Sequence, residues 1–68
     1  LKGSTMPLAH IYIMEGRTVE QKRAVIEKVT QALHEALSAP KENVRVVIQE
    51  VPKTNWGIAG TSAADLGR

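Results

Sequence analysis

The chain has 68 residues, no cysteine, 43% hydrophobic residues and 24% charged residues. This length excludes a second domain, and the balanced composition excludes a disordered tail or a fibrous repeat. The net charge is +2, and lysine and arginine are scattered rather than clustered, so we expect no nucleic-acid partner but allow a small anionic ligand. No apolar run approaches the roughly 20 residues that span a bilayer, so we expect no membrane partner and a cytoplasmic location.

Residues 8–14 predict the first strand, because they are rich in β-branched and aromatic side chains and precede the turn residues Glu15 and Gly16. One face of this strand carries Ala9, Ile11 and Ile13, and the other carries Leu8, His10, Tyr12 and Met14. Neither face is plainly polar, so we expect protein to cover both.

A helix is predicted to begin after Thr18, because Thr18 and Gln21 have the spacing of a capping box. Apolar residues then recur at intervals of three and four, as in an amphipathic helix. These residues are Val25, Val29, Ala32, Leu33, Ala36 and Leu37. The helix should end near Ser38 and Ala39, since Pro40 disfavours a helical conformation in the residue before it.

The second strand is predicted at residues 44–51. Val44, Val46 and Ile48 would share one face, and Arg45, Val47, Gln49 and Val51 the other. A long helix between two strands normally joins parallel neighbours, and the glycine-rich residues 52–68 predict turns and a short hairpin. The predicted fold class is α+β, a parallel βαβ unit with a C-terminal hairpin.

Such a unit is incomplete alone. One helix covers one face of a two-stranded sheet, and the other face, here rich in apolar side chains, would lie in water. Two strands are also fewer than a stable sheet usually needs. We therefore expect a homo-oligomer.

Most familiar catalytic constellations are missing. The sequence has no thiol and no serine in a nucleophile elbow, which argues against hydrolase triads. His10 and His34 lie on different predicted elements without zinc-ligand spacing, so we expect no metal. The pair Gly57 and Gly60 is better explained by a turn than by phosphate binding.

Four residues then remain for a function. Pro7 can be explained structurally as the first residue of an edge strand. Arg17 and Arg45 can be explained as side chains that project into water. Trp56 can be explained as a large side chain that fills the core or an interface. Taken singly, each residue is better explained by its structural role than by a function.

Together, these residues resemble the 4-oxalocrotonate tautomerase family. The resemblance covers residues 7–68, which it identifies as a tautomerase domain. Its most specific segments are 7–17, 20–22, 39–40, 44–46 and 56–60. It implies the tautomerase fold and an isomerase that needs no metal or cofactor. It also implies a hexamer, arranged as a trimer of dimers, whose active site draws residues from adjacent subunits.

The resemblance also implies a role for each site residue. Pro7, as an amino-terminal amine, would be the general base that moves a proton between the enol oxygen and a carbon of an unsaturated 2-oxo acid such as 2-hydroxymuconate. Arg45 would hold the 2-oxo or carboxylate end, and Arg17 the distal carboxylate. Trp56 would form an apolar wall, and Met14 would also contact substrate. Such chemistry belongs to aromatic hydrocarbon catabolism.

The chemistry of an amine base fits this assignment. A base acts best when its pKa lies near the operating pH. A neighbouring guanidinium and burial beside Trp56 would both lower the pKa of a prolyl amine, because each penalises its charged form. The planar donors of arginine would stabilise negative charge on the dienolate oxygen.

Residues 1–6 precede this base and are interpreted as a leader, tag or fusion remnant. While Met6 is attached, the Pro7 nitrogen is a non-basic amide, so we expect the site to be blocked. Two alternatives stay open: a non-catalytic, oligomeric anion-binding scaffold, and a dehalogenase or decarboxylase of the same superfamily.

Overall fold

The computed structural model describes residues 6–68. The elements in chain order are β1 (Leu8–Met14), α1 (Val19–Leu37), β2 (Arg45–Val51), β3 (Gly57–Ile58) and β4 (Thr61–Ser62). Short 3-10 turns, Lys41–Asn43 and Lys53–Asn55, precede β2 and β3. The predicted order of strand, helix, strand and hairpin is confirmed. The proposed extension, residues 1–6, lies outside the described residues except for Met6.

The predicted capping box at the start of α1 is present. The Thr18 hydroxyl accepts a hydrogen bond from the Gln21 amide at 3.0 Å, and the Gln21 side-chain oxygen accepts one from the Thr18 amide at 2.9 Å. At the other end, Ser38 has φ 56°, which terminates the helix in a left-handed conformation. His34 Nδ1 donates to the Ala39 carbonyl at 2.6 Å, so this histidine secures the helix end.

Strands β1 and β2 pair in parallel, as predicted, with a register that runs from Leu8 opposite Arg45 to Met14 opposite Val51. The second strand begins one residue later than predicted. Val44 instead ends the preceding 3-10 turn, because its amide donates to the Lys41 carbonyl at 3.0 Å. Val44 is only 8% exposed, and the apolar side chain that suits this buried position also matched the pattern of a strand.

Helix α1 covers one face of this two-stranded sheet. Lys22 of the helix forms an ion pair with Glu50 of β2 at 3.2 Å, which places the helix on the face that Glu50 shares with Val46 and Ile48. The opposite face is open: Leu8 is 62% exposed and Tyr12 58%. Among the described residues, only Ala39, Val44 and Ala63 are buried hydrophobics. A single chain therefore leaves its apolar sheet face uncovered.

The predicted C-terminal hairpin is confirmed. Gly57 pairs with Ser62 and Ile58 with Thr61 in antiparallel register. The two residues between them, Ala59 and Gly60, have φ of 51° and 89°. Within residues 6–68, no helix is both long and apolar enough to cross a membrane.

Candidate active site

Pro7 and Arg45 lie side by side where the two parallel strands begin. The Arg45 amide donates a hydrogen bond to the Pro7 carbonyl at 2.9 Å, just before Leu8 pairs with Arg45 in the sheet. Pro7 is partly buried, whereas the Arg45 side chain is exposed. Parallel pairing therefore places the candidate base and one candidate substrate-binding arginine at the same end of the sheet.

The Arg45 guanidinium is held by the turn that precedes β2. Its Nη1 donates to the Glu42 carbonyl at 2.7 Å. A guanidinium has five N–H donors in a planar fork, so this bond leaves donors available for an anion. The turn thus orients the Arg45 side chain but uses only one of its hydrogen-bond donors.

Arg17 and Trp56 lie at the other end of the sheet. Arg17 follows β1, and Trp56 follows the turn after β2. Since β1 has seven residues, about 23 Å of strand separates the end that holds Pro7 from the end that holds Arg17. One chain therefore brings Pro7 and Arg45 together but does not bring Arg17 or Trp56 to them.

Three concave surfaces flank these residues. Arg17 lines a cavity of about 240 Å³ between β1 and α1, with apolar Ile13 and Val25 in its wall. Trp56 lines a second, of about 370 Å³, beside Tyr12 on the open sheet face. Met14 and Arg17 share a third, of about 230 Å³. The structure thus brings Met14 to Arg17 but leaves Trp56 in a separate cavity.

The turn that carries Arg17 is fixed by backbone geometry. Gly16 has φ 116°, a conformation that side-chain-bearing residues rarely adopt. The Glu15 amide donates to the Val51 carbonyl at 3.0 Å, and a Glu15 carboxylate oxygen accepts from the Lys53 amide at 3.2 Å. These contacts hold the turn against the segment after β2.

Two cationic residues were not anticipated from the sequence. Lys53 and Arg68 line the same cavity as Arg17 and Met14. No local motif marks them, because their proximity depends on how the segments after β1 and β2 meet. Only the folded chain identifies them.

Neither candidate arginine forms an ion pair with an acidic side chain of the described residues. Across residues 6–68, the one ion pair joins Lys22 and Glu50, so neither Arg17 nor Arg45 is neutralised by a carboxylate. The same residues contain no group of three or more histidine, aspartate and glutamate side chains that could hold a metal. The exposed guanidinium groups of Arg17 and Arg45 are therefore available to an anion.

The open sheet face carries a polar pair as well. His10 Nε2 lies 3.0 Å from the Gln49 side-chain oxygen, and the His10 ring stacks on Tyr12 with centroids 4.8 Å apart. Since the Gln49 oxygen is an acceptor, the histidine nitrogen donates. The pair links β1 to β2 across the open face.

Comparison with known proteins identifies the family. The family model described as tautomerase enzyme matches residues 7–66. The 2-hydroxymuconate tautomerase of Pseudomonas putida is 71% identical over 63 residues, which cover 93% of this chain and 100% of the relative. A 4-oxalocrotonate tautomerase isozyme structure from Methylibium petroleiphilum is 72% identical with a TM-score of 0.89, covering 91% of this chain and 100% of that one.

A heterohexamer 4-oxalocrotonate tautomerase from Chloroflexus aurantiacus J-10-fl is also similar. It is 41% identical with a TM-score of 0.86, and the match covers 90% of this chain and 98% of that one. Sequence and backbone thus agree over nearly the whole described chain, which confirms the resemblance drawn from the residues. The chain belongs to the tautomerase family of enzymes and has the tautomerase fold.

Proposed function

We propose that this enzyme is an isomerase that converts 2-hydroxymuconate, or a closely related unsaturated 2-hydroxy acid, into its 2-oxo tautomer. The observation that carries the proposal is the match at 71% identity to the full length of a 2-hydroxymuconate tautomerase. The relative's name favours this isomerase over the scaffold, dehalogenase and decarboxylase alternatives. The enzyme would act in the cytoplasm, in the catabolism of aromatic hydrocarbons.

Pro7 is the general base in this proposal. Its secondary amine, when free, removes the proton from the enol hydroxyl and returns a proton to a carbon of the conjugated chain, so no net oxidation or reduction occurs. Arg45 binds the 2-oxo or carboxylate end and stabilises the charge that develops on the oxygen. The adjacency of Pro7 and Arg45 at the start of the sheet supports this pairing.

Arg17, Met14 and Trp56 complete the proposed site from other subunits. Arg17 binds the distal carboxylate, Met14 contacts substrate, and Trp56 excludes water from the reacting atoms. About 23 Å of β1 lies between Pro7 and Arg17 in one chain, too far for one small diacid to bridge. Copies of the chain must therefore meet for these residues to act together.

We propose a homohexamer built as a trimer of dimers. The open sheet face supports assembly, because Leu8, Tyr12 and Val47 are 62%, 58% and 43% exposed in one chain. Burying a fully exposed apolar side chain is favourable by about 1.5–3 kcal/mol, and these side chains, already roughly half buried in one chain, would each gain part of that. The Chloroflexus relative, described as a heterohexamer, supports this number of subunits.

Residues 7–68 form the proposed tautomerase domain, and residues 1–6 form an extension that blocks the base. The nitrogen of Pro7 is an amide as long as Met6 precedes it, so it has no basic lone pair. Removal of the extension would create the active amine.

The test compares the full chain with a chain that begins at Pro7, with mass spectrometry verifying each amino terminus. Conversion of 2-hydroxymuconate, followed by ultraviolet absorbance, should appear only in the chain that begins at Pro7. Acetylating the Pro7 amine of that shorter chain turns it into an amide and should lower kcat by about 10²–10⁴, the usual contribution of a general base. Full activity in a homogeneous species that begins at Leu1 would refute the proline base.

A further inference from the structure

Three cationic side chains share a concave surface at the carboxyl end of β1. This surface has a volume of about 230 Å³ and contains Arg17, Lys53 and Arg68. Its remaining wall consists of Met14, Glu15 and Gly16. We refer to it as the cationic pocket. Its charged groups come from three separate parts of the chain.

Hydrogen bonds hold these parts together. The Glu15 carboxylate accepts the Lys53 amide at 3.2 Å, which fixes the turn after β1 against the turn after β2. The Ala64 amide donates to the Lys53 carbonyl at 3.2 Å, and the Arg68 amide donates to the Ala63 carbonyl at 2.9 Å. The backbone of the C-terminal segment is therefore anchored beside Lys53, which keeps Arg68 at the pocket.

The cations of the pocket are not neutralised from within the chain. Over residues 6–68 the single ion pair is Lys22 with Glu50, which lies outside the pocket. Glu15 is the only carboxylate side chain in the lining, and its single negative charge is outnumbered by the three cations around it. Three like charges in one small concavity repel one another, and a bound anion relieves that repulsion.

We propose that Lys53 and Arg68 act with Arg17 at the distal carboxylate of a 2-oxo diacid, so that these two residues strengthen the selectivity for doubly charged over singly charged substrates. The proposal rests on the proposed function, in which Arg17 binds this carboxylate. Arginine offers a planar fork of donors that matches a carboxylate, and lysine adds a compact point charge. A methyl group in place of the distal carboxylate would leave all three cations unsatisfied.

Calorimetric titration of the full chain with two matched ligands tests this selectivity. The ligands are trans,trans-muconate and sorbate, six-carbon dienoates that differ only in a distal carboxylate or methyl group. The wild-type chain should bind muconate more tightly. Lys53→Met and Arg68→Gln should each weaken muconate binding by about two- to fivefold, in the range of a solvent-exposed charge pair, and leave sorbate binding unchanged.

Matched controls come from the exposed surface of α1. Lys28→Met and Arg23→Gln remove the same charges outside the pocket, and muconate affinity should stay within about 1.5-fold, because distant surface charges are screened. Equal wild-type affinity for the two ligands, or equal losses in pocket and control variants, would overturn the proposal. Circular dichroism checks that every variant retains its fold.

This titration separates the two proposals. Muconate binding needs no free Pro7 amine, whereas turnover does. If the chain that begins at Pro7 turns over 2-hydroxymuconate but the pocket variants bind muconate like the wild type, the pocket assignment fails alone. If the wild-type chain selects muconate but the freed amine gives no turnover, the isomerase proposal fails.

Discussion

The backbone amide of Arg45 donates a hydrogen bond to the carbonyl of Pro7 at 2.9 Å, and this contact starts the parallel pairing of β1 and β2. The main chains of the two residues are thus fixed relative to each other by the sheet itself, without any bound substrate. The parallel hydrogen bonds that follow keep the same register along both strands. The same ladder keeps Arg17 and Trp56 at the far end.

Replacement of Arg45 tests its proposed contact with the developing oxyanion. In the chain that begins at Pro7, Arg45→Ala should lower kcat by about 10²–10³, the usual effect of losing one charge-stabilising donor. The Arg45 side chain is exposed and its one hydrogen bond within the chain goes to the Glu42 carbonyl, so the free energy of unfolding should fall by no more than about 0.5–1.5 kcal/mol. Steady-state kinetics and urea unfolding measure the two effects. The control is Lys41→Ala, a substitution at an exposed residue in the turn just before β2, which should leave kcat unchanged. An unchanged kcat in Arg45→Ala would contradict the assignment.

A charge on the open sheet face tests assembly. Val47 is 43% exposed in one chain, and Val47→Glu would place a carboxylate in the proposed interface. Burying an unpaired charge is strongly unfavourable, so light scattering should show a fall from the oligomeric mass toward that of one chain. Lys28→Glu, on exposed α1 surface, serves as the control and should leave the mass unchanged. A hexamer that survives Val47→Glu would place the interface elsewhere.

The β3–β4 turn contains an alanine where glycine would fit better. Ala59 has φ 51°, in the left-handed region that costs an L-residue roughly 1–2 kcal/mol. Ala59→Gly should therefore raise the free energy of unfolding by about 1 kcal/mol, measured by urea denaturation. The reverse sign is expected for Ala36→Gly in α1, where glycine lowers helix stability by about 1 kcal/mol. Destabilisation by Ala59→Gly would show that the turn gains more from the alanine side chain than it loses to strain.

The capping box should contribute measurably to stability. Thr18→Ala removes the oxygen that accepts the Gln21 amide at 3.0 Å, and the free energy of unfolding should fall by about 1 kcal/mol. Thr61→Ala, in an exposed position that caps no helix, should change it by less than about 0.5 kcal/mol. Thermal unfolding at equal protein concentration compares them, since assembly makes the midpoint depend on concentration. Equal effects of the two substitutions would show that the Thr18 cap does not stabilise the helix.

Much of the fold could be predicted because its signals are local. Thr18 and Gln21 lie within one helical turn of each other, so their reciprocal bonds follow from spacing alone. Val44 shows where such reasoning fails. Its apolar side chain matched the strand pattern, but a hydrogen bond to the Lys41 carbonyl placed it in a turn, and side-chain character does not reveal that bond.

The sequence by itself determined the elements, their parallel order and the family, because periodicity, caps and motif spacing are properties of neighbouring residues. It also named Pro7, Arg17, Arg45, Trp56 and Met14 as candidates. Only the tertiary structure decided that Arg45 lies beside Pro7 while Arg17 lies beside Lys53 and Arg68 at the opposite end. The physical reason is that such groupings arise from sheet register and from hydrogen bonds between distant segments, which no short stretch of sequence encodes.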